Sequence, residues 1–331
     1  MPQNITRRTA LAALAATGLQ ALGGGRLAAS PVADLNILAA PTGASITLAR
    51  ALDSGALAQS APNATFNLWR DPDMLRAGIV SGQTKLFSTP THLPANLANR
   101  GMPIKLLCLI GQGHLSIVTA DESINSFHDL AGKDVLGFFR NDMPDLIFRA
   151  CARMESMDPD KDIKLTYVQD GMEAAQMLAS GKVPTAILSE PPAAAAIMMA
   201  EHHSGLILRR AISLQNVWSR HKNGAHMPMV GVAVQAGLVE QAPELLAALK
   251  TALPLAKTWV EINPTEAGAL AEKMMQMRPH IFEAAVPHLN IDIVSARAAR
   301  PELEVFYQTL LEVSPQALGG KLPSDDFYLD F

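Results

Sequence analysis

Cysteine is nearly absent, with only Cys108 and Cys151 in 331 residues. Two lone cysteines exclude a disulfide-framed fold and any cysteine-rich metal or redox cluster. Cys108 falls in a strand-like apolar run and Cys151 in a helix-like one, so both are expected to be buried free thiols with no bridge between them. Aromatic residues make up 5% of the chain, too few to build stacking platforms for single-stranded nucleic acid. Charged residues are only 18%, the formal net charge is -4 and no run of Lys or Arg occurs, so neither a basic nucleic-acid face nor an acidic tail is expected. No apolar stretch reaches the ~18 residues of a membrane span. Catalytic signatures are missing too: there is no G-x-S-x-G, H-E-x-x-H, P-loop or G-x-G-x-x-G, and no nucleophile–base set stands out. The expectation is a chain that is not an enzyme and that carries no cofactor and no metal. Glu201-His202-His203 and His226-Met227-Pro228-Met229 do contain metal-binding residue types. No closed ligand set forms, however, and Met198-Met199, Met274-Met275 and Met277 sit at helical spacing, where methionine fills core gaps.

The N-terminus has a recognisable grammar. Arg7-Arg8 precede an apolar run from Ala10 to Leu22, then three glycines and small residues through Ser30. A basic start, a short apolar segment and a small-residue tail describe an export leader over residues 1–30, and the paired arginines resemble its twin-arginine (Tat) form. Removing its three arginines leaves 24 basic against 31 acidic residues, a charge of -7.

The chain's 331 residues exceed one ordinary core and suit two domains, or one domain built of two lobes. Short apolar runs at 35–39, 65–69, 86–87, 104–109, 115–119, 134–138, 165–168, 186–188, 206–209 and 229–234 read as strands. Helical stretches separate most of them, starting for example at Asp71-Pro72 and Gly171, which is the pattern of βαβ units and a mostly parallel sheet. From about Ala242 to Ser314 the chain is expected to be helical, with Leu245, Leu249, Leu253, Ala256 and Val260 on one face. An internal match supports two similar lobes: Ser81-Gly82 to Pro90 aligns with Ser180-Gly181 to Pro191, each reading as helix end, glycine cap, buried strand and proline. The expected division is one discontinuous lobe from 31–116 plus 229–331 and a second from 117–228.

Several segments resemble a known family. Pro41-Thr42-Gly43 follows the first strand, and Ile104–Leu109 follows Asn99-Arg100-Gly101. Val118-Thr119-Ala120-Asp121 then leads to Phe127-His128-Asp129-Leu130-Ala131-Gly132-Lys133. Together with Ser189-Glu190-Pro191, Asn263-Pro264 and the terminal Asp326-Phe327-Tyr328, these are similar to the periplasmic substrate-binding proteins of ABC importers. The similarity is to the nitrate/sulfonate/taurine class, which includes binders of pyrimidine precursors. That resemblance implies an α/β, two-lobed periplasmic binding protein fold of type II, each lobe a mostly parallel sheet flanked by helices. It implies a monomeric, exported, periplasmic protein that captures a small polar organic ligand, sulfonate-like or heterocyclic, by hinge closure. Its partners would be ABC permease and ATPase subunits. An enzyme on the same scaffold, lyase-like or pyrimidine-synthase-like, is the alternative, and the leader argues against it. A sensor ectodomain is disfavoured because no membrane span follows.

In such a fold the ligand sits between the lobes, at the carboxyl ends of strands where loops enter helices. The candidates by position are Thr42, Gly43 and Ser45; Ser88, Thr89 and Thr91; Arg140, Asn141 and Asp142; and Ser189 and Glu190. Gly113 and His114 precede the outward crossing, and Trp218 and His226 precede the return. The hydroxyls offer hydrogen bonds and Arg140 offers a bidentate fork. Arg140 and Glu190 together suggest a ligand with both acceptor and donor groups, such as an amino-sulfonate or a heterocycle.

Overall fold

The computed structural model describes residues 31–331, so the expected leader lies outside the described residues. The first half of the chain runs β1 (Asn36–Ala39), α1 (Ile46–Asp53), β2 (Thr65–Leu68), α2 (Pro72–Val80), β3 (Leu86–Pro90), α3 (His92–Asn99), β4 (Ile104–Gly111), β5 (Leu115–Thr119) and β6 (Asp134–Phe138). It continues through α4 (Met143–Met154), β7 (Lys164–Val168), α5 (Gly171–Ala179), β8 (Thr185–Ser189), α6 (Pro192–His203), β9 (Arg209–Ser213) and α7 (Leu214–His221). The last part is β10 (Val230–Gln235), α8 (Ala236–Gln241), α9 (Pro243–Ile262), α10 (Pro264–Met275), α11 (Pro279–Ala285), β11 (Ile291–Ser295) and α12 (Ala296–Val313).

These strands form two sheets, ordered β11-β4-β10-β3-β1-β2 and β7-β6-β8-β5-β9. In the first sheet β1, β2 and β3 are parallel, and β10 inserts antiparallel between β3 and β4. In the second, β6, β7 and β8 are parallel and β5 runs against both of its neighbours. This is the mixed α/β, two-sheet architecture expected from the sequence. The chain leaves the first sheet through Gln112-Gly113-His114 and returns after α7.

Local chemistry explains the repeated unit. The Asp71 side chain accepts from the Met74 N–H at 2.8 Å and Pro72 sits in the first turn, so α2 starts there. Asp170 caps α5 in the same way, accepting from the N–H groups of Met172 and Glu173. Both helices end at Ser-Gly, with Gly82 at φ 76° and Gly181 at φ 73°, the left-handed conformation that glycine adopts without Cβ strain. The strands that follow, β3 and β8, are buried almost throughout, as central strands covered on both faces must be.

Three expectations are corrected. The strand read at 206–209 lies at Arg209–Ser213; Ile207 is 87% exposed, so hydropathy alone misplaced it. The segment read as wholly helical from 242 to 314 contains β11, a short strand that edges the first sheet beside β4. Finally, β3 continues through Ser88, Thr89 and Pro90 rather than ending at Phe87, which puts the hydroxyls on a strand rather than in a cap. The α9 stripe of Leu245, Leu249, Leu253, Ala256 and Val260 is buried as expected. Cys108 and Cys151 are both buried free thiols, and burial pushes both up from the usual thiol range. Among the described residues, no helix is long and apolar enough to cross a membrane.

Candidate functional site

A cavity opens between the two sheets; about 620 Å³ there is free of protein atoms, open solvent at the mouth included. The first sheet and its helices contribute Thr42, Trp69, Thr89, Leu93 and Met229, and the second contributes Phe138, Phe139, Asp142, Met143 and Ser189. His114, at the crossing between sheets, completes the wall. The lining is mostly apolar, with a few polar groups converging on it, the usual make-up of a small-molecule site.

Those polar groups have distinct roles. Thr42 Oγ1 and Thr89 Oγ1 are buried and have no hydrogen-bond partner. An orphaned buried hydroxyl is costly, and both belong to residues that line the cavity, which makes them candidate partners for a bound ligand. His114 places Nδ1 2.9 Å from the carbonyl of Gln112, which can only accept, so the proton lies on Nδ1. Burial pushes the His114 pKa down, so the ring is neutral and Nε2 is left as an acceptor. Asp142 caps α4, accepting from the Met143 N–H at 2.7 Å. Its carboxylate also meets two groups from the opposite side of the cleft, His92 Nε2 at 3.3 Å and Arg76 Nη2 at 3.5 Å. Burial by itself would raise the Asp142 carboxyl. The His92 contact, the Met143 N–H and the Arg76 charge outweigh it and hold the group below the usual carboxylate range. Asp142 is therefore ionised, and no Lys or Arg lines the cavity beside it.

Of the residues expected from sequence, Thr42, Thr89, His114, Asp142 and Ser189 come together at this cavity. Gly43 lies just behind, where its N–H reaches the Glu190 carbonyl at 3.4 Å and an added Cβ would sit 2.1 Å from Leu289. Ser45 and Ser88 share a hydrogen bond at 3.0 Å, and Ser88 Oγ also accepts from the Ala40 N–H, so both tie strands together. Thr91 donates to the Pro228 carbonyl at 2.7 Å. Gly113 packs so tightly on Gln215 that a side chain would collide with it. Arg140 and Asn141 are exposed, with the Arg140 guanidinium 5.4 Å from the Tyr167 ring centre. Glu190 is buried in an ion pair with Arg210 at 2.6 Å, and burial pushes its carboxyl up despite that partner. Trp218 is fully buried, packed edge-on against Phe306, and His226 is exposed beside Glu302.

Sequence reasoning missed Trp69, Phe138, Phe139 and His92. The first three stand at the carboxyl ends of β2 and β6, where the strand-end rule applies, but an apolar side chain at a strand end reads as core. His92 opens α3 and gave no local signal. Among the described residues, no group of three or more His, Cys, Asp or Glu is arranged to hold a metal ion.

The fold is that of the two-lobed periplasmic binding proteins. The chain is similar to an ABC transporter protein from Parabacteroides distasonis, with 20% identity over 89% of this chain and 98% of that one and a TM-score of 0.73. It is also similar to the periplasmic aliphatic sulphonate binding protein SsuA from Escherichia coli, with 16% identity, coverage of 89% and 99%, and a TM-score of 0.67. The periplasmic nitrate-binding protein NrtA from Synechocystis PCC 6803 matches at 16% identity over 76% of this chain and 69% of that one, with a TM-score of 0.58. Residues 133–275 match the model of the NMT1-like family. No curated protein matches the sequence. These comparisons agree with the resemblance to the nitrate/sulfonate class of binding proteins.

Proposed function

We propose that this chain is the exported solute-binding component of an ABC importer and that it captures an uncharged, flat heterocyclic solute in the cavity between its sheets. The lobes would be 31–116 plus 229–331 and 117–228, closing about the Gln112–His114 crossing, with a permease and its ATPase as partners in the periplasm. The observation that carries the reading is the pair of unpartnered hydroxyls, Thr42 Oγ1 and Thr89 Oγ1, on residues of a mostly apolar cavity. Two acceptors accompany them, the ionised Asp142 and the Nε2 of neutral His114. Ring N–H groups suit those acceptors, ring nitrogens or carbonyls suit the hydroxyls, and Trp69, Phe138 and Phe139 suit a ring face. A strong anion would face the Asp142 carboxylate, and the one cation beside it, Arg76, is already engaged with that carboxylate, so the geometry favours the heterocyclic member of the expected pair over a sulfonate.

Thermal-shift screening of residues 31–331 against pyrimidines, purines, sulfonates and nitrate tests this. A pyrimidine or purine at 100 times its dissociation constant should add about 2.7 kcal/mol, seen as several degrees. The Thr42→Val/Thr89→Val double variant should lose that shift while melting at or above the wild-type temperature without ligand, since two orphaned hydroxyls are gone. A shift from sulfonates alone would overturn the heterocyclic reading.

A further inference from the structure

The cavity does not end at its aromatic wall. Pro41, Trp69, Phe138, Phe139 and Ser189 line it and also line a second, wider groove outside it. The walls of that outer groove carry Phe66 and Leu68 on the edge strand β2, Met74 on α2, Met172 on α5 and Met274 on α10, alongside the polar Asn67, Arg70, Asp170, Lys273 and Gln276. Met74 is 46% exposed and the other four apolar residues are only partly buried, so apolar side chains from four elements converge on one open space. Scattered exposed apolar residues need no explanation, but a cluster continuous with a ligand cavity does. Methionine suits such a wall because its unbranched thioether repacks around different shapes.

The junction between the two spaces is built deliberately. Trp69 comes from the first sheet and Phe139 from the second, with ring centres 6.3 Å apart. Phe139 has φ 49°, a left-handed conformation that a bulky residue rarely adopts. Its loop is pinned: the Asp142 N–H bonds the Phe139 carbonyl at 2.9 Å, and the Asn141 N–H bonds Asp145 Oδ2 at 2.8 Å. Asp145 is in turn held by Arg149 Nε at 2.7 Å and Tyr167 Oη at 2.8 Å. Strain of this kind persists only where the surroundings over-determine it, and here it holds an aromatic ring at a throat.

We infer that the ligand site has two compartments: the heterocycle occupies the inner cavity, and an apolar substituent parts the Trp69–Phe139 ring contact to reach the methionine-lined groove. This rests on the solute-binding reading above and adds to it a selection by substituent length. The probe is a series of 4-aminopyrimidines bearing methyl, propyl or hexyl at C5, titrated calorimetrically into residues 31–331. Affinity should rise by at least twofold and up to about fourfold per added methylene, the upper figure being that of full apolar burial. Met172→Asp/Met274→Asp should flatten the series, bringing the hexyl-to-methyl affinity ratio close to one. A methyl compound that binds with no gain along the series would overturn the second compartment alone, as would a gain that the double variant leaves intact. Failure of every member to bind would overturn the heterocyclic reading on which it rests.

Discussion

An Asp145→Ala variant is expected to lose about 1–3 kcal/mol of stability, the cost of leaving buried hydrogen-bonding groups without their acceptor. Asp145 is 1% exposed in the first turn of α4, and it accepts from the Arg149 guanidinium, the Tyr167 hydroxyl and the Asn141 N–H. Without the carboxylate, Arg149 keeps only the exposed Asp160 and the Tyr167 hydroxyl as partners. Tyr167 offers a second readout: burial first, and then the neighbouring Asp145 carboxylate, push its phenol up to about 12. Removing the carboxylate should bring the Tyr167 titration down toward the ordinary tyrosine range, seen in the ultraviolet difference spectrum of the folded variant. Chemical denaturation gives the stability loss. A loss below 1 kcal/mol with an unmoved phenol would mean that the network does not hold the Phe139 loop. The variant should also bind ring solutes less tightly, because Phe139 sits at the throat of the cavity.

The second large effect belongs to Asp142, whose carboxylate joins the two sides of the cleft through His92 and Arg76. Asp142→Asn keeps a side chain able to cap α4 but removes the charge. A charge-assisted hydrogen bond in such a setting contributes about 1.5–3 kcal/mol, so solute affinity should fall roughly ten- to hundredfold if closure depends on it. The pH dependence has a definite sign. The Asp142 carboxyl is held below its unfolded value, so its contribution is complete above the ordinary aspartate pKa and is lost as pH falls through the lowered one. Stability of the wild type should therefore decline on acidification below about pH 4, an ordinary aspartate pKa, while Asp142→Asn should lack that component. Titration calorimetry measures the affinity loss, and chemical denaturation across the acidic range measures the pH-dependent component.

Much of the fold is legible in the sequence because its signals are local. Asp71-Pro72 and Asp170 announce helix starts, Ser81-Gly82 and Ser180-Gly181 announce helix ends, and the apolar runs after them are strands buried on both faces. β11 was hidden because Ile291–Ser295 is short and flanked by long helices, and it is a strand only by pairing with β4, a partner 180 or so residues away. Thr42, Thr89, Asp142 and Ser189 follow from where strands deliver their carboxyl ends, and His114 from its place before the crossing between the sheets. The same rule applied to Thr91 and Ser88 met residues whose hydroxyls are already used by the backbone, a distinction that only tertiary contacts make. Glu190 shows the limit most plainly. Its motif stands out along the chain, yet Arg210, from a strand two places away in the sheet, takes up the carboxylate. The aromatic throat escaped because an apolar residue at a strand end looks like core until the facing lobe is known.

The most direct test of the solute-binding reading is native mass spectrometry of the protein recovered from an exporting host's periplasm, followed by identification of whatever small molecule is released on unfolding. One uncharged, ring-containing compound per chain is expected, absent from the Thr42→Val/Thr89→Val protein. Release of a sulfonate or another strong acid, bound equally well by that variant, would contradict it.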